Sequence, residues 1–398
     1  MKNKAANSTD ILCKEDELRS EGFSSYIDSI FVQRLRGISF LGVLDYVYKL
    51  DPISNRYDHT ICVAHLALEL SRQIELKDDM RRAFVIANIL HDIGHAAFSH
   101  NSEPFLREHF SLYHQGLLSA IFRHTNRFTA NGISLTHILR SEKDSVSECV
   151  PDLILQSRRA RQPLQTLFHG PLNCDKIEGN HRTMLHLQRD SIEPSTMLQL
   201  FSISDENVCV NRDNLGLVVA FWEAERNVYW KDIYTPSVFA AEAMITRALE
   251  NCFKEPSEIE EFLFYTDDEV FEHASQSRPA SRLMNRVRNN ALFLSLREEQ
   301  PELLNSYEER FRNHRFDKSI RAEIEAEIAE ILNIAPSDAI SHFSRRKYFD
   351  SQLHDLYQMN LFDPDPQTIP LERVEQAFLN SKRAADFFDI FYSDTNEG

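Results

Sequence analysis

Histidines and acids gather at two places in the first third of the chain. His59 stands in "NRYDHT", and the run "ILHDIGHAAFSH" holds His91, Asp92, His95 and His100, followed closely by Glu103. Imidazole nitrogen together with carboxylate oxygen is the donor set that suits a divalent ion of borderline hardness. The same groups can also serve as general acids and bases. One buried histidine alone is ordinarily a satisfied core residue. The adjacent His91–Asp92 pair is different, because it follows the apolar run "AFVIANIL", which has no other use for two polar groups. A buried carboxylate beside two imidazoles is expensive to desolvate unless a cation or donor neutralises it, and a metal would do so for all three.

The elements that must deliver these residues read as helices. The chain has only 10 glycines in 398 residues, and its long apolar patterns repeat with a helical period. "DHTICVAHLALELSRQI" predicts a helix capped by Asp58, with a buried stripe of His59, Val63, Leu66 and Leu70. "DDMRRAFVIANILHDIG" predicts a second, acidic at its start and ended near Gly94. His59 and His91 each lie on an apolar stripe, so the two helices can pack with both rings directed inward. "LYHQGLLSAIFRH" sets His114 beside Leu117, Leu118 and Ile121, and "GPLNCDKIEGNHRTMLHLQ" starts a helix at Pro171. "STMLQLFSISDENVCVN" alternates around a turn and predicts a hairpin near 196–211. Later, "IRAEIEAEIAEIL" is amphipathic, and a Pro-rich break, "FDPDPQTIP", precedes a last helix over "LERVEQAFLNSKRAADFF". The expected fold is therefore all-α with one small β-hairpin. Residues 1–25 read as a flexible N-terminal segment, 26–255 as the core, and 256–398 as a helical C-terminal lobe.

Composition sets the class. Hydrophobic content of 42% with 26% charged residues is that of an ordinary soluble globular protein. No apolar stretch reaches the roughly 18 residues that a membrane span needs. The polar start "MKNKAANSTDILCKEDELRSEG" has no apolar signal region, so no export and a cytoplasmic location are expected. The six scattered cysteines form no CxxC pair and read as reduced thiols. A net charge of −17 argues against nucleic acid as a partner, since phosphate neutralisation needs Lys and Arg. A local basic pocket for a small phosphorylated molecule stays compatible with that charge.

Several blocks in order carry a resemblance. "VQRLRGISFLG", "NRYDHTICVAHLA", "ILHDIGHAAFSH", "YHQGLLS", "GPLNCDKIEGNHR" and "ERNVYWKDIY…AAEAMITRAL" resemble successive blocks of the HD-domain dNTP triphosphohydrolases. That family takes in bacterial dGTPases and the sterile-alpha-motif/HD enzymes. The resemblance implies one divalent ion (Mg, Mn, Fe or Zn) held by His59, His91, Asp92 and the distant Asp175. It places Arg56, His95, His100 and His114 on the triphosphate or at the reacting centre. His114 would be the general acid or the polariser of the scissile phosphate, oriented by Glu103. Lys176 and Arg226 would contact phosphate, and Tyr234 would lie near the nucleoside. It further implies release of nucleoside and inorganic triphosphate, a homo-oligomer, and a second nucleotide as allosteric activator. Relatives of this kind are linked to antiviral defence through dNTP depletion.

The sugar-reading positions depart from that pattern. Where the family has a glutamine after the "RLR" block, a tyrosine one turn past the last metal ligand and an aspartate a turn beyond, this chain has Phe40, Gly179 and Thr183. Hydroxyl discrimination comes from polar groups built to meet the hydroxyl, so either neighbours such as Asn180 or His181 read the sugar or the substrate is not a standard dNTP. Two other readings stay open: an HD nucleotidase or phosphodiesterase for monophosphates or a signalling nucleotide, and a nucleotide-responsive oligomeric scaffold acting through residues beyond 255.

Overall fold

The structure, a computed structural model, describes residues 14–50, 54–111, 114–123, 135–156, 162–204, 206–314, 317–349, 368–371, 374 and 382–393. It is mostly helical, as the glycine-poor helical patterning predicts. Among the described residues no helix is long and apolar enough to cross a membrane.

At its centre helix α1 (Arg56–Gln73) packs along α2 (Asp78–Leu90). The N-cap of α1 is Asn55, whose side chain accepts the Asp58 N–H at 2.9 Å; Asp58, expected to cap, sits inside the first turn. Nearly the whole of α1 is buried, not one stripe of it, because it is surrounded on several sides. The acidic first turn of α2, Asp78 and Asp79, favours the positive end of that helix. Helix α3 (Glu103–Phe110) follows the histidine-rich turn, α4 (Asp144–Ile154) packs on α2, and α5 (Cys174–His186) packs on α1. The cap of α5 is Asn173, which accepts the Lys176 N–H at 2.8 Å; Pro171 therefore lies before the helix, contrary to expectation. Helices α6 (Leu215–Val228), α7 (Pro236–Cys252), α8 (Asp267–Ser275) and α9 (Arg278–Arg288) complete the main body.

The hairpin appears where alternation placed it, as β1 (Phe201–Ser204) and β2 (Asn207–Asn211), but it acquires a third strand. Strand β5 (Thr368–Pro370) pairs with β2, with Val210 opposite Ile369.

The expectation of an all-helical lobe after 256 needs correction. Helices α10 (Pro301–His314) and α11 (Lys318–Leu332) are there, but so is a sheet in which β6 (Lys382–Tyr392) lies between β3 (Leu294–Ser295) and β4 (Ala339–Phe349). Residues 382–388, the end of the expected last helix, are thus a strand. Alternate residues of this sheet serve different cores. Ile340, Phe387 and Phe391 join the main core, while Ala339, Phe388 and Ile390 join a smaller one with Leu304, Phe311, Ile324 and Ile328. The main core also crosses the expected boundary at 255, taking in Phe262, Val270, Phe271 and Met284. At the other end, Leu18, Phe23 and Tyr26 are buried in it, so ordered packing begins inside the stretch expected to be flexible. Cys62 is disulfide-bonded, against the expectation of reduced thiols, whereas Cys149, Cys174, Cys209 and Cys252 are free.

Candidate metal centre

Three helices converge on one point. The Nε2 atom of His59 on α1 lies 3.1 Å from Asp175 Oδ1 on α5. His91, the residue that follows α2, brings its Nε2 to 3.6 Å from the same oxygen. Asp92 sits between them, 3.3 Å from His91 Nε2 and 3.7 Å from His59 Nε2. The four residues expected as ligands are thus brought together, and His59, His91 and Asp175 offer ligand atoms all within 4.8 Å of one another.

Both rings are fixed from behind. His59 Nδ1 is hydrogen-bonded to Glu178, an acid one turn past Asp175 on α5. A carboxylate only accepts, so Nδ1 carries the proton and Nε2 is the inward nitrogen. Glu178 is held in turn by Arg182, at 2.5 and 2.8 Å. His91 Nδ1 donates to the Asn88 carbonyl at 2.7 Å. Outer acceptors of this sort orient metal-binding histidines and raise their basicity. The buried His91 Nε2 has no hydrogen-bond partner among the described residues. An orphaned buried nitrogen, paired with a second imidazole and two carboxylates, fits a divalent cation.

The electrostatics agree. Burial works against a charged His59, but the Glu178 charge and hydrogen bonds to Asp175 and Glu178 raise its pKa. His91 is likewise disfavoured by burial yet raised to about 9, chiefly by Asp92 and Asp175. Asp175 is buried enough to disfavour its charge, but the hydrogen bond from His59 and the nearby His91 ring hold it well below the usual carboxylate range. Without a cation, protons shared with the imidazoles do that neutralising. His95 behaves oppositely: burial, then the Arg56 charge, push it well below the ordinary value, so its ring is neutral.

The centre forms part of the wall of a cavity of about 720 Å³, within the usual range for small-molecule sites. Asp175 is 48% exposed and opens onto it. Arg56 lines it, with Nη1 2.6 Å from Asp92 Oδ2 and Nε 2.6 Å from Ser99 Oγ. Lys176, His95 and His100 line it as well. Aromatic and apolar side chains line it too. Tyr229 and Ile233 come from a π-helical turn after α6, and Tyr234 follows. Phe40 lies against the His59 ring with centroids 4.5 Å apart, and Gly179 flanks both rings.

Other expected residues fall differently. Glu103, expected to orient His114, sits 2.9 Å from His100 Nδ1. The helix His114–Arg123 is described, but the His114 side chain lies outside the described residues. Arg226 is on α6 and is not among the cavity's lining residues. Phe40, Gly179 and Thr183 all line the cavity, as does Asn180; His181 does not, and its Nδ1 is engaged by Ser191 at 2.7 Å. Sequence reasoning missed Glu178, Arg182, Ser99 and the Asn88 carbonyl. The spacing of Asp175, Glu178 and Arg182 along successive turns of α5 was the available signal for two of them.

Residues 56–150 match the HD domain family, a span that includes His59, His91 and Asp92 but not Asp175. The chain is 21% identical over 231 residues to YwfO of Bacillus subtilis, a match to 54% of this chain and 49% of that protein, so it spans about half of the relative's length. Among solved structures, a phosphohydrolase from Bacteroides thetaiotaomicron shares the fold with a TM-score of 0.65 at 15% identity, over 94% of this chain and 96% of that one. A hypothetical protein from Aquifex aeolicus does so with a TM-score of 0.65 at 14% identity, over 93% and 92%. At these identities the likeness is one of fold.

Proposed function

We propose that this protein is a metal-dependent phosphohydrolase acting on a nucleoside triphosphate, with a dNTP as the leading substrate and nucleoside plus inorganic triphosphate as products. The observation that carries the reading is the inward convergence of His59 and His91 Nε2 with Asp92 and Asp175, both rings fixed from behind, beside a cavity with Arg56 and Lys176 in its walls. A divalent ion held by those four residues supplies Lewis-acid stabilisation of charge on a phosphoryl oxygen.

The chain's own groups do the rest. Arg56 and Lys176 bind and orient phosphate, and Arg56 is held in place by Asp92 and Ser99. The His100 ring, oriented by Glu103, stands at the cavity wall where it can act as a donor toward the leaving oxygen. His95 contributes a neutral ring, so it adds no charge next to the ligands. The aromatic wall of Tyr229, Tyr234 and Phe40 accommodates the nucleoside and excludes water. The homo-oligomer and the activating nucleotide belong to the same proposal.

The test is a panel of dNTPs and NTPs with Mg²⁺ or Mn²⁺, with and without a second nucleotide, analysed by chromatography. Tripolyphosphate is the expected product, and its absence across the panel overturns the reading. The position of Arg226 outside the cavity lining favours a second reading, a nucleotidase or phosphodiesterase that handles fewer phosphates. Release of orthophosphate from a monophosphate in the same assay would select it.

A further inference from the structure

The turn that carries His95, Ser99 and His100 is held in an unusual backbone conformation. Phe98 and Ser99 both have left-handed φ values, 59° and 55°, which non-glycine residues adopt rarely and under strain. Something must hold that turn in place. Asp267 Oδ1 accepts the Phe98 N–H at 2.7 Å, and its Oδ2 accepts the Ser39 N–H at 3.1 Å.

Asp267 lies at the start of α8, yet its side chain is not needed there. The cap of that helix is complete without it, since Thr266 and Glu269 form a reciprocal capping box. The buried Asp267 carboxylate is therefore spent on two backbone segments far away in sequence. The packing around it is close. A Cβ on Gly37 would come within 2.4 Å of Thr266, and one on Gly42 within 2.7 Å of the Phe98 carbonyl. Phe271, one turn along α8, meets the Phe98 ring edge-on at 5.3 Å.

From the clamped turn a chain of contacts leads to the cavity. Ser99 Oγ donates to the Ser39 carbonyl and accepts from Arg56 Nε at 2.6 Å, and Arg56 Nη1 holds Asp92. We infer that Asp267 is a positioning residue for hydrolysis: it ties the Ser39 and Phe98 segments together and thereby sets Ser99, Arg56 and His100 relative to the metal ligands. The inference rests on the phosphohydrolase reading. It also gives the region beyond 255 a part in the site, since Asp267 is contributed from there. Asp267 is linked to the metal ligands only at a distance, through Ser99 and Arg56 to Asp92, so its effect on turnover should exceed its effect on metal affinity.

The experiment compares the full-length chain with Asp267→Ala and Asp267→Asn. It reads kcat and KM on the triphosphate that the wild type hydrolyses, Mn²⁺ affinity by calorimetry, and hydrogen exchange at the Ser39 and Phe98 amides. Asp267→Ala should expose both amides and lower kcat by about 10- to 100-fold, the effect of a small misplacement at a reacting centre, with Mn²⁺ affinity within about threefold. Asp267→Asn keeps one acceptor and should fall between; it also carries the test if the alanine variant does not fold. Exposed amides with kcat within about twofold of wild type, unchanged amides, or a parallel loss of Mn²⁺ affinity would each overturn the assignment. If the wild type hydrolyses nothing, the phosphohydrolase reading falls with the turnover role that rests on it. The exchange and Mn²⁺ arms would then still decide whether Asp267 clamps the turn.

Discussion

Two clusters in this chain look alike by composition and differ in where their compensating charge comes from. His59, His91 and Asp175 form one; Glu108, His109 and Glu250 form the other, and in both the ligand atoms lie within 4.8 Å of one another. In the second, the chain supplies its own cations. Arg247 pairs with Glu250 at 3.0 Å, Arg321 pairs with Glu108, and Lys318 Nζ lies 2.9 Å from His109 Nδ1. In the first, Arg56 takes Asp92, while the described ion pairs of Asp175 are with the two imidazoles alone. Proximity of donor types thus does not distinguish a metal centre from a structural ion network. What distinguishes them is whether Lys and Arg have already neutralised the acids, because only an acid left without a cation of the chain keeps charge for a metal ion to meet.

The strongest way to break that contrast is Asp175→Ala. It should reduce Mn²⁺ affinity by more than the roughly hundredfold that outer-acceptor changes can cost, and hydrolysis should vanish with it. Calorimetry showing tight binding retained would sink the metal assignment.

Next in size is Glu178→Gln, which keeps the shape but weakens the charge behind His59. Metal affinity should fall between about 10- and 100-fold. The same change strands Arg182 in the core, at about 3 kcal/mol of stability. Adding Arg182→Met should recover much of that stability and none of the metal affinity, and urea unfolding with a parallel titration would show whether the two effects separate.

In the other cluster, Glu250→Gln should cost about 3 kcal/mol of stability with metal stoichiometry untouched. The pH dependence has a definite sign. Burial opposes the charge on Glu250, but the hydrogen bond to His109 and the charges of Arg247 and Arg321 hold its pKa down at about 2. The stabilisation it provides is therefore present above the ordinary carboxylate value and is lost as pH falls through about 2. A shallower acid-unfolding curve for Glu250→Gln would bear this out; an unchanged curve would not.

The smallest expected effect is the most pointed. Lys318→Met with Arg321→Met removes two cations from the second cluster and should create a weak second Zn²⁺ event in calorimetry. If none appears, geometry and not charge separates the two clusters.

How much of this was legible in the sequence depends on how local the cause was. The paired-helix placement of His59 and His91 could be read from residue types on apolar stripes. Asp175 came only with the resemblance, since one acid among 61 carries no signal by itself. The Asn88 carbonyl has no sequence signature, because every residue has one. The Glu103 contact with His100, three residues earlier, follows from helical spacing alone. The largest error, "KRAADFF", had helix-compatible local pattern. Its strand conformation comes from pairing with Ala339–Phe349, a partner far away in the chain.

The sheet built from that segment serves as a party wall. With neighbouring side chains of one strand committed to opposite interiors, peeling the small bundle away would strip cover from the larger body as well. The tail should accordingly melt together with the rest in a single cooperative step, and truncation after Ala339 should undo the fold as a whole.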